Sequence, residues 1–592
     1  MPLNDAGARP AATLVAARRR RRHARAVAVT LAIAALLAVA IVASLAVGSR
    51  PLAFSDVVSA LFSDRRDAVG VIVHELRVPR TLTALLVGAV LGVAGLLMQA
   101  ATRNPLADPG LLGVNAGAAV GVVVAIAFFG VGTASGYVWF AFVGAAGAAA
   151  AVYLAARPGG RGGTVGLVLA GVALSACLSA VVRIITLADD DTFESFRFWA
   201  VGSFERRDPD VALSLLPFAV VGLVLAVVVA RGLDQLRLGS DLARALGVSP
   251  ALVLVASAVA ITLLCAVATS AAGPLAFIGL LVAHVVRRAG PRDLRAQLPL
   301  AALTGATLTV ASDVIGRVIA VPAEVEAGIV AAFLGAPLLL WLVLRRTASR
   351  SRGTPLASPD IVGFSAGSAT GALIGLTLIA PTASPAPAAW IGGLLTVAVV
   401  MLIARSAGVS KERTILAGIA LAILLAAVND YLLTRAPLEI ARNASQWLYG
   451  SLAATSGSDV LTLAVSVGVL AGGIAVVHRD FRAIELGDDT ARALGVRLGR
   501  VRLFLIVVAA LLTGTATAVA GPIGFVALAA PQLARRVTGA SGIPLLPSAA
   551  TGATVLLVAD VIAQRALAPL QIPVGLLTGV VGGAWVVARG RR

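Results

Sequence analysis

The sequence predicts an all-α, polytopic transmembrane helical bundle made of two tandem homologous halves, about 18 spans arranged as 10 + 8. Composition is the first reason: of 592 residues 59% are apolar and 13% charged, and mean hydropathy is +0.96. Length is the second: charge-free runs such as 211–230 supply the roughly 20 apolar residues that a helix needs to cross a bilayer core of about 30 Å. Repetition is the third, since blocks of sequence return in order at offsets of 247 to 250 residues. Lipid offers backbone groups no hydrogen-bond partner, so spans are helices or closed barrels. Long apolar runs without period-two alternation exclude the barrel.

Taken in order, the chain starts with a basic segment, 1–25, that includes the run Arg18–Arg22. The apolar stretch from Ala26 to Val47 is longer than the apolar region of a signal peptide. It is therefore expected to be a retained first span with a cytoplasmic N-terminal side. His74–Arg80 then falls outside, and a second span returns inward by about Ala101. Spans three to ten are expected near 111–130, 137–155, 164–187, 211–230, 251–270, 272–286, 297–320 and 326–344. This places Arg103, the 231–250 loop, Arg287, Arg288 and Arg346 inside and Asp189–Asp191 outside, the charge bias expected of short loops. The net charge of +19 thus reflects span ends rather than nucleic-acid binding. Cys177 and Cys265 lie in apolar runs, which supports neither a disulfide framework nor a zinc site; no metal site and no cofactor are expected.

The repeat divides the chain into a first half, 26–348, and a second half, 349–592, joined near Ser349–Arg352. Pro105-Leu-Ala-Asp-Pro-Gly110 returns as Pro355-Leu-Ala-Ser-Pro-Asp360, and Leu169–Leu174 returns as Leu416–Leu421. Trp199 and Gly202 return as Trp447 and Gly450, and Gly273-Pro274 with Arg287-Arg288 as Gly521-Pro522 with Arg535-Arg536. The second half opens directly at its Pro-Leu-Ala motif and has no counterpart of the first two spans. Losing two helices preserves topology, so both termini are expected in the cytoplasm.

Two polar stretches organise this plan: Gly239-Ser-Asp-Leu-Ala-Arg-Ala-Leu-Gly-Val248 and Gly487-Asp-Asp-Thr-Ala-Arg-Ala-Leu-Gly-Val496. Each reads as a short helix in a cytoplasmic loop, with Asp241 or Asp489 capping its start and Gly247 or Gly495 ending it with positive φ. One or two turns are not stable alone in water, so each needs flanking spans or a docked partner. Gly239, Asp241, Ala243, Arg244, Leu246 and Gly247, with Gly487, Asp489, Ala491, Arg492, Leu494 and Gly495, are the candidate socket residues.

The two Pro-Leu-Ala-x-Pro segments cannot form continuous helix, because each proline removes a donor and clashes with the preceding turn. Glycines at four-residue spacing, Gly113, Gly117 and Gly121, let neighbouring helices approach closely. Irregular backbone at this depth is tolerated only against protein or a water-filled cavity. Asn104, Pro105, Pro109, Asn115, Gly117, Pro355, Pro359, Ser365 and Gly367 are accordingly the candidate pathway residues. Asp313 and Asp560 occupy matching positions near outer span ends, either as paired structural groups or as pathway groups. His284, at the position that Gln532 takes in the second half, reads as a hydrogen-bonded core histidine.

The blocks Leu-Arg-Val-Pro-Arg (76–80), Arg-Asn-Pro-Leu-Ala-Asp-Pro-Gly-Leu-Leu-Gly (103–113), Ala-Arg-Ala-Leu-Gly-Val, Gly-Pro-Leu-Ala-Phe-Ile-Gly-Leu (273–280) and Gln571-Ile-Pro-Val-Gly575 resemble the FecCD-type permeases. These are membrane subunits of ABC importers for iron–siderophore complexes, haem and cobalamin, and the tandem arrangement is similar to that of fused ferric-hydroxamate members. The resemblance covers nearly everything from residue 50 onward. It implies a central pathway for a ferric siderophore, an extracytoplasmic binding protein or lipoprotein docked outside, and two copies of a separate ATPase docked inside. It also implies that outer-surface arginines, here Arg77, Arg80 and Arg317, pair with acidic residues of the binding protein. In the second half the first two have no counterpart, and Gln564 stands where Arg317 stands.

The residues agree where they can be compared. ATP chemistry needs a Gly-rich phosphate loop with its lysine, and the one lysine, Lys411, lies in Val-Ser-Lys-Glu-Arg without those glycines. The chain is not expected to be an enzyme. Spans almost bare of ionisable groups argue against ion-coupled secondary transport. The reading is an importer permease in the cell (inner) membrane; the alternatives are a degenerate, non-transporting membrane protein, given the missing helix pair, or a haem or cobalamin importer.

Overall fold

The computed structural model describes residues 8–48, 51–63, 67–104, 107–108, 110, 113–156, 163–205, 209–289, 291, 293–321, 323–345, 363–379, 385–406, 411–453, 455–540, 542–565 and 572–579. Among the described residues all regular structure is helical. Among the described residues eleven helices are long and apolar enough to cross a membrane, and 114–129, 327–341 and 364–379 are shorter apolar helices.

The first half contains α1 (Ala8–Ala46), α2 (Phe54–Phe62), α3 (Ala68–Val71), α4 (Val78–Thr102), α5 (Val114–Phe129), α6 (Ala134–Ala156) and α7 (Gly163–Ala188). It continues with α8 (Asp190–Ala200), α9 (Pro209–Leu236), α10 (Ser240–Ala245), α11 (Pro250–Ala272), α12 (Ile278–Ala289), α13 (Leu294–Ile319) and α14 (Ala327–Arg345). A π-helical stretch, Ile72–Arg77, joins α3 to α4. The second half contains α15 (Phe364–Ile374), α16 (Ala386–Ser406), α17 (Lys411–Arg435), α18 (Leu438–Leu448) and α19 (Gly457–Val476). It ends with α20 (His478–Glu485), α21 (Asp488–Ala493), α22 (Leu498–Ala520), α23 (Val526–Thr538) and α24 (Leu545–Arg565).

By mutual contact the chain forms two compact units, Met1–Leu178 with Phe198–Gly335, and Ser179–Arg197 with Ala336–Arg589. The end of α7 and most of α8 therefore pack with the second-half helices. There Phe193 of α8 is buried with Ala436 and Ala441, and Arg197 donates to the carbonyls of Leu433 and Ala436.

In the first unit α4 is central and packs on α13, α11, α12 and α9. Its glycines explain why. A Cβ on Gly88 would lie 2.4 Å from the Gly305 oxygen, one on Gly92 2.3 Å from the Ala301 oxygen, and one on Gly95 2.3 Å from the Gly279 Cα. Without a hydrophobic force between helices in lipid, such close backbone contact supplies the dispersion energy that holds them. Gly117 of α5 likewise meets Gly144 of α6, and Gly367 of α15 meets Thr396 and Gly392 of α16, at 2.0 to 2.7 Å from a built Cβ.

One span expectation needs correction. The run 272–286 is not a continuous helix: α11 stops at Ala272, residues 273–277 are non-helical, and α12 is only 12 residues long. Hydropathy does not register the break because the broken segment is itself apolar.

Candidate functional site

The two polar loops fold as closely matched helices. α10 and α21 have six residues each and the same N-cap geometry, φ/ψ of 115°/153° at Gly239 and 110°/155° at Gly487. Gly247 (φ 80°) and Gly495 (φ 82°) end them, and the next amide returns to the first turn, Val248 N–H to Ala243 O and Val496 N–H to Ala491 O, each 3.0 Å. The expected aspartate caps are absent. Gly239 and Gly487 occupy the cap positions, and Asp241 and Asp489 accept from Arg244 (2.7 Å) and Arg492 (2.9 Å) on the same helix. With the capping residue a glycine two positions earlier, each aspartate sits within the first turn, in reach of the arginine three residues on. Ala243 and Ala491 are fully buried, whereas Leu246 and Leu494 stand 54% and 63% exposed. Each helix thus roots itself by a methyl group and presents a leucine outward.

Behind each helix a carboxylate ties the preceding segment to the start of a later long helix, α13 or α24, with the charges exchanged. Asp234 pairs with Arg237 (3.0 Å) and accepts the Leu294 N–H at the start of α13 (2.8 Å). At the equivalent positions Arg482 pairs with Glu485 (3.2 Å), and Glu485 accepts the Ile543 N–H ahead of α24 (2.9 Å).

A second duplicated construction lies where α11 and α22 end. Gly273 (φ 80°) and Gly521 (φ 71°) turn the chain out of the helix, and Phe277 and Phe525 both adopt φ of 66°. A Cβ on Gly273 would lie 2.2 Å from the Trp199 oxygen, and one on Gly521 2.2 Å from the Trp447 oxygen. The same three backbone bonds close each knot: Gly202 N–H to Trp199 O, Ser203 N–H to Ala272 O and Gly328 N–H to Gly202 O (3.2, 2.9 and 2.9 Å), matched by Gly450 to Trp447, Ser451 to Ala520 and Gly575 to Gly450 (3.1, 2.8 and 3.1 Å). Left-handed phenylalanine costs on the order of 1–3 kcal/mol and persists only where its surroundings over-determine it. The sequence marks these glycines only through the repeated Trp-x-x-Gly and Gly-Pro pairs.

The three arginines expected to meet a binding protein are instead committed inside the first unit. Arg80 donates to both Asp313 oxygens (2.8–3.1 Å) and to Glu324 (2.8 Å). Arg317 pairs with Asp313 (2.8 Å) and donates to Ser44 Oγ (2.6 Å) and to the carbonyls of Ser44 and Val47. Arg77 donates to the Leu45 carbonyl at 2.6 Å. Arg77 and Arg317 are 6% and 2% exposed, and Asp313 is 1% exposed. The physical reason is desolvation: buried charges persist only when paired and hydrogen-bonded, and here each cation satisfies α1 carbonyls or a carboxylate. Asp313 is thereby a pairing group. Asp560 instead accepts a 2.7 Å hydrogen bond from Gln564 on its own helix.

Pathway candidates divide. Pro105, Pro109, Pro355 and Pro359 lie outside the described residues. Gly117 and Gly367 face a neighbouring helix too closely to line an open path. Asn104 is exposed, Ser365 is half-buried, and Asn115 accepts from Thr269 Oγ1 of α11 (3.0 Å) beside Asp108 and Cys265. His284 is half-buried on α12.

Helices of this length and apolarity, two matched polar helices and a doubled backbone knot define a polytopic transport protein with internal duplication. The FecCD transport family matches at residues 36–345 and again at 354–589, and the chain belongs to that family. It is 43% identical over 328 residues to the ferric enterobactin transport system permease protein FepD of Escherichia coli K12, covering 54% of this chain and 98% of that one. It is 30% identical over 603 residues to the iron(3+)-hydroxamate import system permease protein FhuB of Salmonella typhimurium LT2, covering 87% and 88%. The hemin transport system permease protein HmuU of Yersinia pestis is 35% identical over 290 residues, covering 48% and 86%.

Proposed function

We propose that this chain is the membrane permease of an ABC importer that carries ferric siderophores, or a closely related iron chelate, into the cytoplasm. Relatives named for ferric enterobactin and iron(3+)-hydroxamate support the cargo class, and the hydroxamate relative is matched along most of its length. The observation that carries the coupling half of the reading is the pair α10 and α21. They have the same length, the same caps, the same buried alanine and the same exposed leucine, which is what two copies of one ATPase subunit would require. ATP hydrolysis resides on those separate subunits, and ATPase movement at the two helices would shift the long helices that Asp234 and Glu485 bind, opening the pathway alternately to either side. An extracytoplasmic binding protein delivers the chelate. The protein is placed in the cytoplasmic membrane with both termini and both short helices on the cytoplasmic side, by the bias of basic residues in short loops. Because Arg77, Arg80 and Arg317 are engaged internally, the binding protein is recognised through other groups of the outer surface.

Leu246→Asp with Leu494→Asp places unpaired charge in the contact. Co-purification of the ATPase and uptake of labelled ferric siderophore should both be lost, with membrane insertion intact. Undiminished ATPase binding by the double variant would refute the socket assignment. Absence of uptake by the unaltered chain with its partners would favour a non-transporting protein.

A further inference from the structure

At the end of the first unit that carries α10, a cavity of about 500 Å³ opens between α4, α9, α12 and α13, lined by Gln99, Ala100, Arg103, Arg237, Arg287, Pro291 and Gln297. Three of these seven are arginines, and no carboxylate lines it among the described residues. Asp234, which pairs with Arg237, is also held by the Leu294 amide. Arg103 is fixed from behind, its guanidinium donating to the Leu236 carbonyl at the left-handed residue (φ 54°) that ends α4.

Two lining groups are orphaned. Gln99 is 1% exposed and its Nε2 has no hydrogen-bond partner. Gln297 is 4% exposed; its Nε2 donates to the Pro291 carbonyl (2.6 Å), while its Oε1 has no partner. Buried polar groups are normally satisfied, so an unmatched donor and an unmatched acceptor facing an arginine-rich cavity point to the complementary chemistry of a ligand. It carries negative charge, several acceptor oxygens and at least one hydroxyl. Chloride fails the last two conditions. A phosphate group meets them all, since guanidinium recognises its oxygens with charge-assisted bonds, and either a P–OH or a headgroup hydroxyl serves Gln297.

We propose that this cavity is an anion site for a phosphate group, supplied either by an anionic lipid headgroup bearing hydroxyls or by free inorganic phosphate. Basic pockets between membrane helices are suited to such headgroups. The site is confined to the first half: the second has no counterpart of Gln99 and Arg103, and Glu485 replaces Arg237. It stands independently of the cargo proposed above. Because Arg237 and Asp234 also anchor the loop behind α10, an occupied site would stiffen one coupling helix and not the other.

The test uses the full-length protein in phosphatidylcholine nanodiscs, with or without phosphatidylglycerol, measuring retained phosphatidylglycerol by mass spectrometry and binding of radiolabelled inorganic phosphate. Retention of phosphatidylglycerol without phosphate binding identifies the lipid source. Saturable phosphate binding in pure phosphatidylcholine identifies the soluble one. In either case Arg287→Gln and the near-isosteric Gln99→Glu should weaken binding at least tenfold, while Arg535→Gln, at the second-half counterpart of Arg287, should leave it unchanged. Binding of neither probe, or equal binding by all variants, would overturn the proposal.

Discussion

α13 and α24 occupy the same place in the repeat and meet different surroundings. Both carry Thr-Gly-Ala-Thr and, eight residues beyond the glycine, aspartate: Gly305 and Asp313, Gly552 and Asp560. Of the most apolar stretch of α13, 61% is buried; of α24, 6%. A Cβ on Gly305 would sit 2.0 Å from the Gly88 oxygen of α4, whereas one on Gly552 finds its nearest neighbour at an ordinary 3.5 Å. Asp313 is ringed by Arg80 and Arg317, whereas Asp560 has Gln564. Among the described residues the sequence of a helix–helix contact is thus present twice and the contact itself once, since no neighbour closes on Gly552 as α4 closes on Gly305. The coupling helices teach the converse: α10 and α21 keep one geometry although the ion pairs behind them have exchanged signs.

The comparison can be broken first at the carboxylates. Asp313→Ala strands two buried cations and should cost about 3–5 kcal/mol, seen as a large drop in the thermal unfolding temperature of the purified protein. Asp560→Ala removes an exposed hydrogen bond and should stay within about 0.5 kcal/mol. Similar losses from the two would show that a partner covers Asp560 after all. The glycines come next. Gly305→Leu must push α4 away from α13 and should destabilise by about 1–3 kcal/mol or more, while Gly552→Leu should be close to neutral in the same measurement. A comparable loss at Gly552 would mean that the second face is also packed.

The smallest effect sharpens the similarity instead. Asp234→Ala and Glu485→Ala each release one amide at the start of a long helix, which costs about 1 kcal/mol. The two losses should agree, and hydrogen exchange at Leu294 and Ile543 should rise in the corresponding variant. A loss at only one would mean that sign exchange has altered the anchor.

How far the sequence reached depended on the range of the interaction. Gly247 and Gly495 were readable because the constraint on a helix end is local to a few residues. The aspartates do not cap because a glycine two residues earlier takes the cap position in each helix. The break at 273–277 hid inside an apolar run, although Gly273-Pro274 was its local mark. The arginines were harder. Whether Arg80 turns outward or onto Asp313, 233 positions away, depends on where two distant helices lie.

By itself the sequence determined the membrane class, the duplication, the family and the two short polar helices, since hydropathy, internal repetition and turn chemistry are written in neighbouring residues or in repeats of them. Only the tertiary structure decided that Arg77, Arg80 and Arg317 bind inward, that Gly117 and Gly367 are packing surfaces, that a backbone knot holds α12, and that Gln99 and Gln297 face a basic cavity. Those facts follow from close approach between segments far apart in the chain, where burial makes each unpaired charge or donor costly, and no local pattern states which partner answers it.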